Sequence, residues 1–393
     1  MAMRSTLEFQ KTEAGSGLLL AAAAFVAIVW ANSPWAGAYH ALTDQTVAVQ
    51  LGPFAERMSL AGWVKTALMP IFFFVVGLEI KHEVLRGELS NPRRLALPVL
   101  AAAGGVIVPA LIYVAVNGGP GGSPRGWPIP TATDIAFALA ALAVVGRKLP
   151  PSLRIFLLTL AIADDLAAVL LIAVLFTTDL RFPMLAAAAV TLAVLAAMSR
   201  WRAAPYSFWA VGGLLLWAFT LKSGINTSLA GIAVAFCLPL EPKRPGGKGV
   251  LAETLEALQP YVSFLILPLF ALVAAGFSLG DRAILGPVSL GVAAGLSLGK
   301  PIGVFGAAAL AIGLKWARRP TGARWLELYG VSALCGVGFT MSLFIGALAF
   351  PTDAATEVQA RAGVALGSAA SALAGMAALA ISAARRTREG VEG

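Results

Sequence analysis

Three aspartates stand inside stretches that are otherwise almost free of charge: Asp134, and the adjacent pair Asp164 and Asp165. The remaining acids lie in loops, tails or the ends of apolar runs. A charged side chain at the centre of a bilayer costs roughly 2.5–3.5 kcal/mol on insertion scales. Two adjacent carboxylates cost more, because like charges repel in low dielectric. The pair sits in Leu160-Ala-Ile-Ala-Asp164-Asp165-Leu-Ala-Ala, near the middle of its run. Neighbours on a helix point about 100° apart, so both can flank one cavity while one of them coordinates an ion directly. Carboxylate oxygens are hard ligands suited to hard cations such as Na+. A site that holds either a cation or a proton, and not both, is the minimum machinery for exchange, and the two groups titrate as a pair. The plainer reading is that such acids pair quietly with a helix terminus or a lysine.

Lys300 is a base set well inside an apolar run, in Gly291-x3-Gly295-x3-Gly299-Lys300-Pro301-x-Gly303. Glycines at four-residue spacing form a small-residue stripe for close helix packing, and alone are no more than that. A lysine beside the stripe takes an aspartate partner or caps a helix terminus. Two runs look interrupted, one at Pro128-Ile-Pro130-Thr-Ala-Thr133-Asp134 and one at Cys335-Gly336-Val-Gly338-Phe-Thr340-Met-Ser342. Prolines, glycines and hydroxyls suit unwound backbone, which exposes the dipole ends of half-helices. Asp134 is expected to balance N-terminal ends and Lys300 C-terminal ones. Interrupted runs in corresponding places of two halves point to a transport site at a repeat interface, although packing kinks use the same residues. At the end of the second run, Glu79 and Glu83 fall one helical turn apart on one face. With Lys81 they read as an ion funnel or pH-responsive cluster, or as a solvated helix end. His40 and His82 are too few for a metal site.

Membrane helices must position these residues. The chain has 393 residues, 59% hydrophobic and 12% charged, with 41 Gly and 23 Pro. A soluble domain carries about 25% charged residues, and membrane helices tolerate Gly and Pro because neighbours re-satisfy the backbone. Apolar runs of about 17–25 residues, long enough to cross a bilayer, fall near 15–33, 60–80, 95–116, 127–146, 153–177, 182–199, 205–221, 223–240, 258–279, 285–314, 328–350 and 358–384. The expectation is an all-α polytopic protein of about twelve spans, a single transport domain over residues 1–393. Spans 3–5 and 10–12 would be its repeats, with spans 4 and 11 broken. The first run has no clear cleavage site and is expected to be retained.

Most of the 29 Lys and Arg then fall on the side of the termini, among them Lys81, Arg93, Arg94, Arg147, Lys148, Arg202, Lys243, Arg244 and Lys248. Arg57, Arg125, Arg181, Lys222, Arg282 and Arg361 fall on the other side, so the positive-inside rule makes both termini cytoplasmic. This placement accounts for the net charge of +9 without a nucleic-acid partner. Residues 34–59 form the longest extracytoplasmic connection, and the alternation and turn signal over 46–53 suggest a β-hairpin. Residues 241–256 read as a cytoplasmic linker. Cys237 and Cys335 sit in apolar stretches, and no disulfide is expected.

Five motifs together carry a family resemblance: Val76-Gly-Leu-Glu79-Ile-Lys81, Ala132-Thr-Asp134-Ile-Ala-Phe-Ala-Leu139, Ala163-Asp164-Asp165-Leu166, Leu298-Gly-Lys300-Pro-Ile-Gly303 and Gly336-Val-Gly-Phe-Thr340-Met-Ser342. On them the chain resembles the NhaA family of sodium/proton antiporters over about residues 10–385. The resemblance implies inverted repeats with crossing broken spans. It implies electrogenic exchange of cytoplasmic Na+ or Li+ for external H+ by alternating access, serving sodium export and pH homeostasis at the bacterial inner membrane. It makes Asp165 the principal carrier, Asp164 its partner, and Lys300 the group that pairs with Asp164 when sodium is absent. Asp134, Thr133 and Thr340 belong to the crossing, and Glu79, Glu83 and Lys81 to a pH-sensing region. The hairpin near 46–53 would join a homodimer in the lipid bilayer, and no cofactor is implied. The chain departs from well-known members at Asn226, where a histidine can stand, and at Lys65-Thr66, where they can carry Asn-Asp. The match of Glu253 and Glu256 to the family's acid at the ninth span is unclear. A different pH dependence is therefore expected.

Three other functions use related residues. An intramembrane aspartic protease places its aspartates on separate spans, one of them in Gly-x-Gly-Asp, whereas here Gly336-x-Gly338 is followed by Phe339. A membrane prenyltransferase needs a third acid and basic residues for pyrophosphate, but Asp165 is followed by Leu-Ala-Ala-Val. A passive cation channel has no need of titratable groups in this arrangement.

Overall fold

A hydrocarbon environment offers no partner for a bare N–H or C=O, so a chain that crosses it must satisfy its backbone within helices. The computed structural model follows that rule. It describes residues 2–51, 54–87, 92–146, 149–177, 180–200, 204–241, 249–280 and 282–389. Gly52 and Pro53 of the expected hairpin, Glu88, Arg147, Lys148, Arg202 and linker residues 242–248, with Lys243, Arg244 and Lys248, lie outside the described residues.

The helices are α1 (Ala2–Ala31), α2 (Ala36–Thr43), α3 (Leu60–Arg86), α4 (Pro92–Asn117), α5 (Ile135–Val145), α6 (Pro151–Leu175) and α7 (Phe182–Met198). They continue with α8 (Tyr206–Ser223), α9 (Ser228–Cys237), α10 (Val250–Ala274), α11 (Pro287–Gly313), α12 (Trp325–Leu334), α13 (Phe339–Ala349) and α14 (Ala354–Glu389). Among the described residues, seven helices are long and apolar enough to cross a membrane, and nine spans result if each of two bent pairs is one span. The bent pairs are Pro124–Thr131 with α5, at 40°, and α12 with α13, at 41°. These are the two runs whose sequence looked interrupted. The shorter apolar helices α7 and α9, and the 18-residue α8, occupy three of the remaining runs. Val174, Phe182 and Leu18 are more than two-thirds exposed. Large apolar side chains displayed in this way need lipid rather than water around them, and the chain is a multi-pass helical membrane protein.

The expected hairpin forms and runs longer than its sequence signal. β1 (Thr46–Leu51) pairs antiparallel with β2 (Phe54–Ser59), from Thr46 opposite Ser59 to Leu51 opposite Phe54.

Two compact units divide the chain. The first comprises Met1–Ser33, Asn91–Ala168 and Ala274–Gly393. Its apolar core includes Leu97, Leu142, Leu157, Leu160, Val304, Val331, Leu334 and Leu379. Here the glycine stripe of α11 leaves no room for a Cβ: Gly299 faces Pro109 and Gly303 the Gly104 carbonyl, both of α4, while Gly295 faces Pro130 of the break before α5. Gly295–Gly299 form a π-bulge, a local widening of the helix that often marks a functional position. It delivers Lys300 at the first position beyond it.

The second unit comprises Pro34–Ser90 and Val169–Val273, around Leu78, Leu195, Trp209, Leu216, Val234 and Leu251. Lys222 at the end of α8 pairs with Glu56 of the hairpin. Gly224 then turns the chain into α9 with φ of +86°, a left-handed conformation that glycine adopts without steric cost.

Candidate functional site

Asp164 and Asp165 lie midway along α6, each 1% exposed. A helix holds them there because all its backbone groups are satisfied internally, so the carboxylates are the polar groups left to be matched. Asp164 Oδ2 receives two neighbours. Lys300 Nζ, delivered by the bulge in α11, forms a salt bridge to it, and both side chains are fully buried. Thr133 Oγ1, from the break before α5, lies 2.7 Å from the same oxygen. Asp164 Oδ1 has no hydrogen-bond partner among the described residues. A buried carboxylate with one oxygen held and one open is chemically suited to accept a proton or a hard cation.

The two breaks supply the surroundings. Both leave orphan helix termini, which must find partners. Asp134 caps α5 by accepting from Phe137 N at 3.0 Å. Its other oxygen accepts from Thr340 N at 3.0 Å and from the Thr340 hydroxyl, at the start of α13. One carboxylate therefore caps two half-helices, with both positive dipole ends beside it. The backbones touch directly as well, Asp134 N donating to Val337 O at 2.7 Å. Ser342 Oγ donates to Ile129 O at 2.7 Å, and Gly338 packs so tightly on the Ala132 carbonyl that a Cβ would clash.

Of the two partners open to Lys300, an aspartate and the C-terminal end of a half-helix, it takes the aspartate, as the resemblance implies. The Cys335 carbonyl has Thr133 Oγ1 within 2.7 Å, and Lys300 goes to Asp164. The physical reason is strength: an ammonium gains more from a full carboxylate charge than from a carbonyl dipole. The structure thus brings Asp164, Lys300, Thr133, Asp134 and Thr340 into one connected network, with Asp165 the next residue on the same helix.

Glu79, Glu83 and Lys81 belong to the second unit. Glu79 Oε1 lies 3.5 Å from Gln259 Nε2 of α10, and His82 Nδ1 lies 3.8 Å from Glu83 Oε1. Lys81 lines a polar pocket with Ser199, Arg200 and Glu241. It is 9% exposed and donates to the carbonyls of Phe236 and Leu238 at 2.7 and 2.5 Å, capping α9. Asn226 Oδ1 accepts from Ser228 N at 2.9 Å, at the start of the same helix. Glu253 takes the hydroxyl of Tyr206. Both cysteines are buried and unbridged.

Sequence reasoning missed the Cys335 carbonyl, since no residue type announces a main-chain acceptor. It also passed over Gly104, Gly105 and Pro109 of α4. Gly105 faces Lys300 so closely that a Cβ would stand 3.4 Å from its Nζ. The adjacent glycines four residues before a proline were the available signal.

A sequence model of the family described as Na+/H+ antiporter 1 matches residues 7–379. The Na(+)/H(+) antiporter NhaA of Nitrobacter hamburgensis is 50% identical over 364 residues, covering 92% of this chain and 87% of the relative. NhaA 2 of Pseudomonas savastanoi pv. phaseolicola is 48% identical over 374 residues, covering 94% and 93%. NhaA of Pseudomonas putida is 46% identical over 393 residues, covering 99% and 100%.

Proposed function

The chain belongs to the Na+/H+ antiporter 1 family, and on that ground we propose that it exports cytoplasmic Na+ or Li+ in electrogenic exchange for external H+, by alternating access to the Asp164–Asp165 pair. Family membership supports Na+/H+ exchange and makes the protein a transporter rather than an enzyme. The observation that carries the finer reading is the contest at Asp164. Lys300, Na+ and H+ each satisfy the same buried carboxylate, and low dielectric penalises leaving it bare. Na+ arriving from the cytoplasm displaces the Lys300 ammonium and is held by Asp164, Asp165 and neighbouring oxygens such as Thr133 Oγ1. Protons arriving from outside neutralise the carboxylates, which releases Na+. Two carboxylates that give up one Na+ for more than one H+ move net charge, which is the electrogenic term. Asp134 and Thr340 hold the half-helix ends steady while the site changes occupant.

In this reading the chain is one transport domain of twelve spans in the bacterial inner membrane, both termini cytoplasmic. The three runs holding α7, α8 and α9 complete the count. Spans 3–5 and 10–12 act as inverted repeats, with spans 4 and 11 crossing at Asp134 and Thr340. Glu79, Glu83 and Lys81 serve as the cytoplasmic pH-responsive group, and the hairpin near 46–53 serves a homodimer. The outcome is sodium export and pH homeostasis.

The test is dissipation of a pH gradient in everted vesicles or proteoliposomes on adding NaCl, LiCl or KCl across pH, beside an Asp164→Asn, Asp165→Asn double variant. A response to Na+ or Li+ that is absent in the double variant is expected. No response to any cation from folded wild-type protein would sink the exchange reading.

A further inference from the structure

Glu327 is 0% exposed at the third position of α12, far along the chain from both aspartates, and every one of its acceptor positions is used. Oε1 accepts from Arg386 Nε at 2.5 Å and Ser382 Oγ at 2.9 Å. Oε2 accepts from Arg386 Nη2 at 2.9 Å and from Arg324 N at 2.8 Å. Arg386 therefore grips the carboxylate bidentately, the geometry that gives arginine its directional hold. It also donates to Gly322 O at 2.6 Å, in the loop before α12. A second pair of opposite polarity, Arg324 with Glu389, joins the same two elements. Below these ion pairs α12 and α14 pack without side-chain spacing: Gly330 lies against Leu379 and Ala378, and Gly375 lies against Leu334 and the Gly330 carbonyl. The whole of α12 is zipped to α14, with the charges at one end.

The other end of α12 is the Cys335 carbonyl. A ten-residue helix is about 15 Å long and moves as a rod, so what fixes its first turn also fixes its last. Thr133 has one hydroxyl proton and two acceptors, each 2.7 Å away: Asp164 Oδ2 and Cys335 O. When Asp164 is ionised and without a cation, the proton belongs on Asp164. When a cation occupies Asp164, the same hydroxyl must turn its lone pairs to the ion and place its proton elsewhere, and Cys335 O is the acceptor in range.

We infer that Glu327 and Arg386 are positioning residues for sodium binding: their clamp on α12 holds Cys335 O where it can take the Thr133 proton when Na+ occupies Asp164. The inference rests on the exchange reading above. Loosening the clamp withdraws the alternative acceptor, so Thr133 goes on donating to Asp164 and competes with Na+. The Michaelis constant for Na+ then rises, while the maximal rate, set by steps at saturated sites, stays near its original value.

The experiment compares Na+-driven proton exchange in proteoliposomes for wild type, Glu327→Gln, Arg386→Gln and the double Glu327→Gln, Arg386→Gln. Glutamine keeps the size of Glu327 and can still accept from Arg324 N. The double variant avoids the defect of Arg386→Gln alone, which strands the buried Glu327 carboxylate without its arginine. The expected result is a KM for Na+ raised threefold or more in the double variant, with the maximal rate within twofold of wild type. In a Thr133→Ala background the same double change is expected to leave KM where Thr133→Ala alone puts it. An unchanged KM in the folded double variant overturns the inference, as does an equal rise in the Thr133→Ala background. A wild type without Na+-dependent exchange overturns both readings, whereas an exchanging wild type with an indifferent double variant overturns this one alone.

Discussion

Lys300 in the first unit and Lys81 in the second are both buried, at 0% and 9% exposure, yet their ammonium groups are received by different kinds of acceptor. Lys81 meets the carbonyls of Phe236 and Leu238, where α9 ends. That is the ordinary use of a base at a helix C-terminus, satisfying orphan carbonyls and the negative end of the dipole. In the first unit the comparable carbonyl, Cys335 O at the end of α12, faces the neutral hydroxyl of Thr133 at 2.7 Å. Lys300 faces Asp164 instead. The contrast separates structure from chemistry. A carbonyl cannot be protonated in this pH range, so the contact of Lys81 does not compete with a proton. A carboxylate can be protonated or neutralised by a cation, so the contact of Lys300 can be exchanged.

The contrast predicts its largest effect at Lys300. Removing one partner of a buried ion pair costs about 3–5 kcal/mol, because the other charge is left uncompensated. Lys300→Met is expected to lower the melting temperature of the purified protein strongly at neutral pH and to cut Na+-driven exchange to background. Adding Asp164→Asn is expected to restore most of the stability and none of the transport. Thermal unfolding of the four proteins of that cycle checks it. A Lys300→Met protein with normal stability and normal exchange would place Lys300 in the same class as Lys81 and erase the distinction.

A smaller effect is expected at Asp134, which serves the opposite helix ends. It accepts from Phe137 N, Thr340 N and the Thr340 hydroxyl and so caps α5 and α13 together. Loss of one cap typically costs about 1 kcal/mol, and two give about 2 kcal/mol. Asp134→Ala is expected to show that loss in thermal unfolding. Asp134→Asn, which keeps one accepting oxygen, is expected to show about half of it. Equal losses in the two variants would mean that charge rather than capping is what Asp134 supplies, and would align it with Asp164.

Much of this was legible in the sequence, for physical reasons. The aspartate pair was visible because a charge in an apolar run is expensive and therefore informative. The two breaks were visible because proline, glycine and threonine cluster where backbone leaves a helix, at 128–134 and 335–342. The hairpin showed half of itself: Thr46–Leu51 alternates, whereas Phe54–Ser59 carries Glu56 and Arg57 and reads as loop until β1 gives it a partner. What stayed hidden was partner choice. The residues leave Lys300 a choice between an aspartate and a helix terminus, which only the family resemblance decides for Asp164, and nothing in them shows that the Cys335 carbonyl would lie within reach of Thr133. Glu327 was hidden for a similar reason. It stands at the edge of an apolar run, where acids are ordinarily solvated, and the arginine that buries it lies 59 residues away.

The smallest effect is expected at Lys81, and it sharpens the contrast most. Lys81 borders a cavity of about 460 Å³, lined also by Ser199, Arg200, Pro239, Leu240 and Glu241. Hydrogen bonds from a charged donor contribute about 1.5–3 kcal/mol, but water entering so polar a cavity can replace the ammonium at the Phe236 and Leu238 carbonyls. Lys81→Met is therefore expected to fall below that range, at about 0.5–1 kcal/mol, read as a modest fall in melting temperature. Because both acceptors are neutral, removing Lys81 changes no proton-binding equilibrium at its own contacts. The pH profile of exchange, normalised to its maximum, is expected to superimpose on that of wild type. A displaced profile at unchanged stability would make Lys81 an electrostatic member of the pH-responsive group with Glu79 and Glu83, not only a structural one. A base facing carbonyls would then have to be counted as part of the machinery rather than of the frame.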